Sequence, residues 1–234
     1  MRRIAAVPAF QAARTLEPVV RGLREGFDEV WVVDDGSTDG TAEVALAAGA
    51  RLLRHDKNRG KGAALRTALR RAAEEGVDAL VTVDADGQHP PAEAVKLDRA
   101  VADRGALVIG VRNWHVTDVP TRSLGANESA AWWFTVLTGR PFSDTQCGLR
   151  RYPVAAVLAL DPRGERYAFE ADALLRATFA GLKVVEVPVR VDYPPDRSTA
   201  FLPVRDVTRI TLRVIATAFG HAAGAAARAL RGAR

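Results

Sequence analysis

Two carboxylates, Asp84 and Asp86, stand one residue apart in the segment LVTVDADGQHPP, residues 80–91, where an apolar run stops. Leu80, Val81, Thr82 and Val83 are types that favour a strand buried on both faces. Like charges crowd at such a strand end when something positive sits between them. Hard carboxylate oxygens suit Mg²⁺ or Mn²⁺, and about two of them plus substrate phosphates complete an octahedron. The plainer reading makes one carboxylate a helix cap and leaves the other to water. Asp-x-Asp alone is a weak signal. Here it closes a buried strand and is followed by Gly87 and by the helix-starting prolines Pro90 and Pro91.

A second acidic corner, VVDDGSTDGT at 32–41, ends another apolar run with Asp34 and Asp35. Gly, Ser, Thr and Asp favour a turn with a helix cap. An Asp at a strand end equally suits a ribose hydroxyl or a base N–H. A third segment, NRGKGAALRTALRRA at 58–72, is rich in glycine and cations. It is not a dinucleotide fingerprint, because Leu65 stands where the third glycine belongs, and not a P-loop, because Gly62 follows Lys61. It reads as a glycine-softened helix start that offers Lys61 and Arg66 to an anionic ligand, with Arg70 and Arg71 on a solvated face. His55, His89, His115 and His221 show no zinc-ligand spacing, and there is no G-x-S-x-G elbow.

The elements that must position these groups alternate. Residues 3–10, 29–35, 50–55, 78–84 and 106–112 read as strands. Helical patterns lie between them at 15–26, 40–48, 61–75 and 92–104. Such alternation predicts βαβ units and a mostly parallel sheet covered on both faces, with ligands at the carboxyl ends of its strands. Beyond residue 113 the spacing predicts helices over 122–139, 153–160 and 167–181, a strand over 183–193, and a long helix from about 203. SDTQCGLRRYP, residues 143–153, reads as a break in the chain.

The 234 residues, 48% hydrophobic and 26% charged, suit one ordinary domain with at most a small appendage. The single cysteine, Cys147, excludes an intrachain disulfide and fits a reducing compartment, and the N-terminus lacks the apolar core of a signal peptide. Net charge is +5, and residues 204–234, with six Arg against Asp206 alone, carry the whole excess. A neutral body with a basic tail argues against nucleic-acid binding and for an anionic surface met by the C-terminus. Arg205, Arg209 and Arg213 share one helical face there, and Val207, Ile210, Val214 and Ala218 another. Such a helix lies in a membrane interface or packs on protein.

PAFQAARTL, VVDDGSTDGT, GKGAALRTA, VDADGQHPP, GVRN, SDTQCGLRRYP, YAFEADALLRA and VVEVPVRVDYPPDRST follow one another in order over roughly residues 4–200. As an ordered set they resemble family 2 glycosyltransferases, and within them the dolichyl- and polyprenyl-phosphate mannose or glucose synthases and bacterial relatives. The resemblance implies a GT-A-type α/β fold over residues 1–202, with the nucleotide-sugar and metal side at 1–113 and the acceptor side at 114–202. Residues 203–234 form the basic amphipathic helix outside it. It implies an inverting, metal-dependent hexosyltransferase that takes a GDP- or UDP-linked sugar to a lipid-linked acceptor such as polyprenyl phosphate, at the cytoplasmic face of the membrane. Asp84, Asp86 and Gln88 would hold Mg²⁺ or Mn²⁺ against the diphosphate. Pro8, Ala9, Asp34, Asp35, Lys61 and Asp84 would line the donor pocket, and Arg112, Arg197 and Ser198 would meet an acceptor phosphate. Asp144 is the candidate base if the acceptor is a hydroxyl. Two residues depart from the pattern: Ala12 replaces a common carboxylate, and Thr199 replaces a phosphate-clamping lysine. Two other classes stay open at this point, a haloacid-dehalogenase-like phosphatase using Asp-x-Asp-Gly and a degenerate transferase domain that only binds.

Overall fold

Short runs of branched residues with nothing polar to expose become the centre of the sheet. In the computed structural model, which describes residues 2–113, 121–192 and 203–232 (without the side chains of 121–126, 129, 203–205 and 225–232), seven strands form one sheet. They are β1 (Ile4–Ala9), β2 (Glu29–Asp34), β3 (Arg51–Arg54), β4 (Ala79–Thr82), β5 (Leu107–Arg112), β6 (Arg150–Pro153) and β7 (Val184–Val189), in the order β3-β2-β1-β4-β6-β5-β7. All pairings are parallel except those of β6, which runs antiparallel between β4 and β5. The sheet thus joins the two expected parts of the chain: β5 and β7 pair along their whole lengths, from Leu107 opposite Val184 to Arg112 opposite Val189.

Side chains alternate between two apolar layers, as strand geometry requires. Ala5, Val7, Val30, Val32 and Val81 point to one face, where α1 (Leu16–Arg24), α2 (Thr41–Ala47) and α4 (Pro91–Ala100) cover them. Ile4, Ala6, Trp31, Val33 and Leu80 point to the other, covered by α3 (Lys61–Glu74), α6 (Val154–Ala159) and α7 (Ala168–Phe179), with α5 (Thr121–Thr138) and α8 (Pro203–Gly232) packing on α7. On α5, Phe134 is buried against Phe142, while Trp132 and Trp133 are exposed.

Strand β6 is a correction to the expected break. Two arginines and a proline carry no strand signal, yet Arg150 and Arg151 are both fully buried, one on each side of the sheet. Buried cations need full partnership. Arg150 donates to the carbonyls of Cys147, Thr145 and Glu170, at 2.7–2.8 Å. Arg151 donates to those of Asp98, Val101 and Asp103, at 2.5–2.7 Å. Each fork staples loops to the sheet instead of packing as an apolar residue.

The phase of α8 also differs from expectation in part. Val214, Ile210 and Thr217 turn to α7, and His221 stacks on Phe179 with ring centres 4.1 Å apart. The arginine face is not free: Arg209 lies 3.8 Å from Glu165, and Arg209 and Arg213 are half-buried in the crevice against the start of α7. Val207, expected on the packing stripe, is exposed.

Candidate active site

Parallel pairing brings the acidic segments to one edge. Ala9 sits opposite Asp34 and Ala6 opposite Thr82, so β1, β2 and β4 all deliver their following loops to the same carboxyl end of the sheet. Pro8 and Ala9 end β1 there, and the Ala9 carbonyl accepts the Asp35 backbone N–H at 2.8 Å. Asp34, fully buried, accepts the Ser37 N–H at 2.9 Å through Oδ1, and Arg54 Nε lies 3.1 Å from its Oδ2 without hydrogen-bond alignment. Asp35 accepts from the Arg59 and Gly60 N–H groups at 2.9 and 2.7 Å and pairs with His55 Nδ1 at 2.7 Å. Both aspartates therefore fasten turns. Asp35 in particular fixes Gly60, whose φ of 87° is open to glycine at little cost, and so sets where α3 begins.

Lys61, the first residue of α3, bridges two carboxylates: its Nζ is 2.5 Å from Asp84 Oδ1 and 3.1 Å from Glu170 Oε1, and 5.5 Å from the Tyr167 ring centre. Burial alone would lower the Lys61 pKa, but the two carboxylates reverse that and hold it well above the ordinary lysine value. Burial would raise Asp84, and the Lys61 ammonium outweighs it and keeps Asp84 below the ordinary range. Glu170, deeper, is raised by burial in spite of Lys61 and Arg150. Lys61 is thus committed to an internal triad, and Arg66 is likewise engaged, donating to the Gly164 carbonyl at 2.7 Å.

Close approach makes room for Asp84. A Cβ on Gly148 would lie 2.2 Å from Asp84 Oδ2, far inside van der Waals contact, so the loop before β6 passes the carboxylate only as glycine. Asp86, half-buried, accepts the Gln88 N–H at 3.0 Å, and the Gln88 carbonyl accepts from Asp192 at 2.8 Å. Among the described residues no three His, Cys, Asp or Glu side chains converge as a ready-made metal cage. The donor set nevertheless fits a hard divalent ion: Asp84, Asp86 and the Gln88 amide supply oxygens at a strand end, in a number that leaves coordination positions to substrate phosphates and water.

Two further expected site residues, Asp144 and Arg112, meet each other. Arg112 Nε and Nη2 grip the two Asp144 oxygens at 2.6 and 2.9 Å, and the N–H groups of Arg112, Gln146 and Cys147 add three more donors at 3.0–3.2 Å. Asp144 is fully buried. A carboxylate so surrounded holds the Arg112 guanidinium and fastens the 143–149 loop. Arg197 and Ser198, the other expected acceptor contacts, lie outside the described residues. His89 is buried, with Nε2 3.7 Å from Cys147 Sγ. Burial lowers its pKa and pushes the Cys147 thiol up to about 12, so Cys147 is no nucleophile at neutral pH.

Two site residues carried no motif signal strong enough to be singled out. Glu170 stands in YAFEADALL, one of two acids, with Asp172, in a largely apolar stretch, and a buried acid needs a cation or donor as partner. Gly148 is marked only by the company it keeps.

The model of the family described as glycosyl transferase family 2 matches residues 5–151. The polyprenol monophosphomannose synthase of Mycolicibacterium smegmatis is 32% identical, over 80% of this chain and 76% of its own length. The UDP-N-acetylglucosamine–dolichyl-phosphate N-acetylglucosaminyltransferase of Methanococcus voltae is 29% identical, over 80% and 84%. Crystal structures of glucosyl-3-phosphoglycerate synthase from Mycobacterium tuberculosis superpose with a TM-score of 0.69 in complex with phosphoglyceric acid (24% identity). The complex with Mn²⁺, UDP and glucosyl-3-phosphoglycerate gives 0.65 (25% identity). Both cover 94% of this chain and 80% of that one. The architecture is therefore the expected GT-A type, and the phosphatase alternative is not favoured, because the matched family spans both acidic corners and the strand-end pair. The chain belongs to glycosyl transferase family 2 and is a glycosyltransferase.

Proposed function

We propose that this glycosyltransferase moves a sugar, with inversion, from a UDP- or GDP-linked donor to a lipid-linked phosphate. The observation that carries the acceptor class is Asp144. Its two oxygens take five N–H donors, which leaves Asp144 poorly placed to act as a general base. A hydroxyl acceptor needs such a base; a phosphate monoester, already anionic, does not. The similarity to a polyprenol monophosphomannose synthase and to a dolichyl-phosphate N-acetylglucosaminyltransferase supports the same reading.

In this reading Asp34 and Asp35 hold the turns that shape the nucleotide pocket beside Pro8 and Ala9. Lys61, held between Asp84 and Glu170, fixes the Asp84 carboxylate at the edge of the donor pocket, while Gly148 leaves that carboxylate its space. Asp84, Asp86 and the Gln88 amide would hold Mg²⁺ or Mn²⁺, which neutralises the diphosphate and the charge that grows on it as the glycosyl bond breaks. The Mn²⁺ and UDP in the structural neighbour support that assignment. Arg112, oriented by Asp144, presents a fixed guanidinium at the end of β5 toward an acceptor phosphate, a match of fork to oxyanion. Arg197 and Ser198 are proposed to complete that contact.

Thermal shift with UDP- and GDP-sugars, each with and without Mn²⁺, identifies the donor. Transfer in detergent is then measured onto undecaprenyl phosphate, 3-phosphoglycerate and a neutral polyprenol. The expected result is stabilisation by one nucleotide sugar that requires the metal, with product on undecaprenyl phosphate alone. Transfer only to 3-phosphoglycerate or to the neutral alcohol would overturn the lipid-phosphate reading.

A further inference from the structure

Helix α8 turns large apolar side chains away from the protein. Leu212, Ile215 and Phe219 are 62%, 44% and 73% exposed, and they recur at three- and four-residue spacing, which puts them in one stripe. Residues 214–227 contain no Asp, Glu, Lys or Arg, so the Ile215 and Phe219 end of the stripe has no charge beside it on the helix. The opposite face, Val214 and Thr217, is the one that packs on α7. No helix among the described residues is long and apolar enough to cross a membrane.

Beside the stripe lies a crevice of about 210 Å³, lined by Glu165, Ala168, Arg209, Leu212, Arg213 and Ala216. It joins cations to apolar side chains in one place. Arg209 is 3.8 Å from Glu165, a loose and half-exposed pair of the kind that contributes little. Arg213 meets no carboxylate within ion-pair distance among the described residues. Arg66 and Arg70 on α3 add to the positive field, and burial together with Arg70 and Arg213 lowers the Arg66 pKa. A helix with an apolar stripe flanked by arginines has the composition of one that lies in a bilayer interface.

We propose that α8 seats this enzyme on an anionic membrane, with a lipid headgroup phosphate in the crevice between Arg209 and Arg213 and with Leu212, Ile215 and Phe219 at the acyl boundary. Charge selects this occupant over a second copy. After Asp206 the chain has no acid through residue 234, and Asp206 itself is buried on Arg166. A two-fold contact along α8 would therefore set the arginines of two helices against each other with no other acid on α8 to offset them, Glu165 beside Arg209 being the carboxylate in the crevice. The proposal rests on the lipid-acceptor reading for its setting, since an enzyme whose acceptor is held in a bilayer gains by lying on it.

The test is sedimentation of the full chain with sucrose-loaded vesicles, phosphatidylcholine alone or with about one third phosphatidylglycerol, at low and physiological salt, with no donor present. Binding is expected to the anionic vesicles only and to weaken with salt. The double variant Arg209→Gln, Arg213→Gln is expected to bind roughly 30-fold more weakly, at about 1 kcal/mol per arginine near an anionic surface. Phe219→Ser, at an exposed site, is expected to weaken binding several-fold without changing the melting temperature. Equal binding to neutral vesicles, or a double variant that binds as tightly as the parent, would overturn the proposal. So would a protein that ignores vesicles and runs as a dimer until Phe219→Ser makes it a monomer, which would assign the stripe to a second copy. Transfer to undecaprenyl phosphate in detergent separates the two readings: no vesicle binding with transfer intact refutes the docking surface alone.

Discussion

The carboxyl edge of β1, β2 and β4 and the outer face of α8 follow opposite rules. At the edge, Asp34, Asp35, Asp84 and Lys61 are buried or nearly so, and each is held by named donors or an opposite charge. On α8, Leu212, Ile215 and Phe219 stand in the open beside arginines that the body of the protein only partly satisfies. Burying charge is costly unless every group is partnered, so the first arrangement persists only where the chain needs a preset electrostatic site. Exposing a continuous apolar stripe is also unfavourable, and it persists where something else covers it. In the proposed reading the two regions mark two contacts of different chemistry, one polar and preorganised, the other apolar and surface-seeking.

The largest expected effect breaks the edge without touching α8. Asp86→Ala, at a half-buried position with little packing to lose, should cut turnover about 10³-fold or more, because losing the metal removes several kcal/mol of charge stabilisation. EDTA on the parent protein should do the same, and neither treatment should change vesicle binding. Retained turnover in both cases would make the edge a scaffold and not a metal site.

Next in size is the buried pair of Arg112 and Asp144. Arg112→Ala leaves the fully buried Asp144 without its cation and should cost about 3–5 kcal/mol in urea unfolding. Asp144→Asn keeps one acceptor oxygen for the backbone donors and should cost less. If Asp144 positions Arg112, Asp144→Asn slows transfer to a phosphate and to a hydroxyl acceptor alike. A loss of about two to four orders of magnitude confined to the hydroxyl acceptor would restore it as a base.

Gly148→Ala sharpens the comparison, because it displaces a charge without removing one. The new Cβ takes the space of Asp84 Oδ2, 2.2 Å away, while Lys61 holds the other oxygen, so the carboxylate must turn. Misplacement of a ligand by about 1 Å can cost roughly 10²-fold in rate. Turnover should fall by that order with the far-ultraviolet circular dichroism unchanged, and parental turnover would show that Asp84 has freedom to spare.

The edge was legible in the sequence because its signal is local. Asp84 and Asp86 end a branched apolar run, and parallel βαβ reading places all such ends together. The helices came out within a few residues of their places for the same reason. Strand β6 was not legible, since RRYP lacks periodicity and its stability comes from carbonyls brought by distant loops, such as those of Glu170 and Asp103. Glu170 meets Lys61, and Gly148 meets Asp84, across more than 60 residues of chain. The outer stripe of α8, Leu212, Ile215 and Phe219, was not legible for a different reason. The pattern shows an amphipathic helix, but it does not say which of two apolar stripes α7 will cover.

The smallest effect is a difference in pH slope, and it probes how the edge stays charged. Lys61 faces Asp84 at 2.5 Å and Glu170 at 3.1 Å. In the parent, Asp84 lies below its ordinary pKa, so its contribution to stability is present above the unfolded value and is lost as pH falls through the folded one. Lys61 lies above its ordinary pKa, so its contribution is present below the unfolded lysine value and is lost only in strong alkali. Lys61→Met removes the cation and leaves two carboxylates close together in a partly buried place. Glu170, already raised by burial, should rise further, and Asp84 should rise with it. A carboxylate whose folded pKa exceeds its unfolded one stabilises the fold only while protonated, and that contribution is lost as pH rises through the folded value. The variant's deficit should therefore grow between pH 5 and pH 8, by about 1.4 kcal/mol for each unit by which one carboxylate is raised. Urea unfolding of parent and variant at both pH values measures it. A deficit that is constant, or that shrinks toward pH 8, would mean that water reaches the two carboxylates and that the edge is less dry than its partners make it.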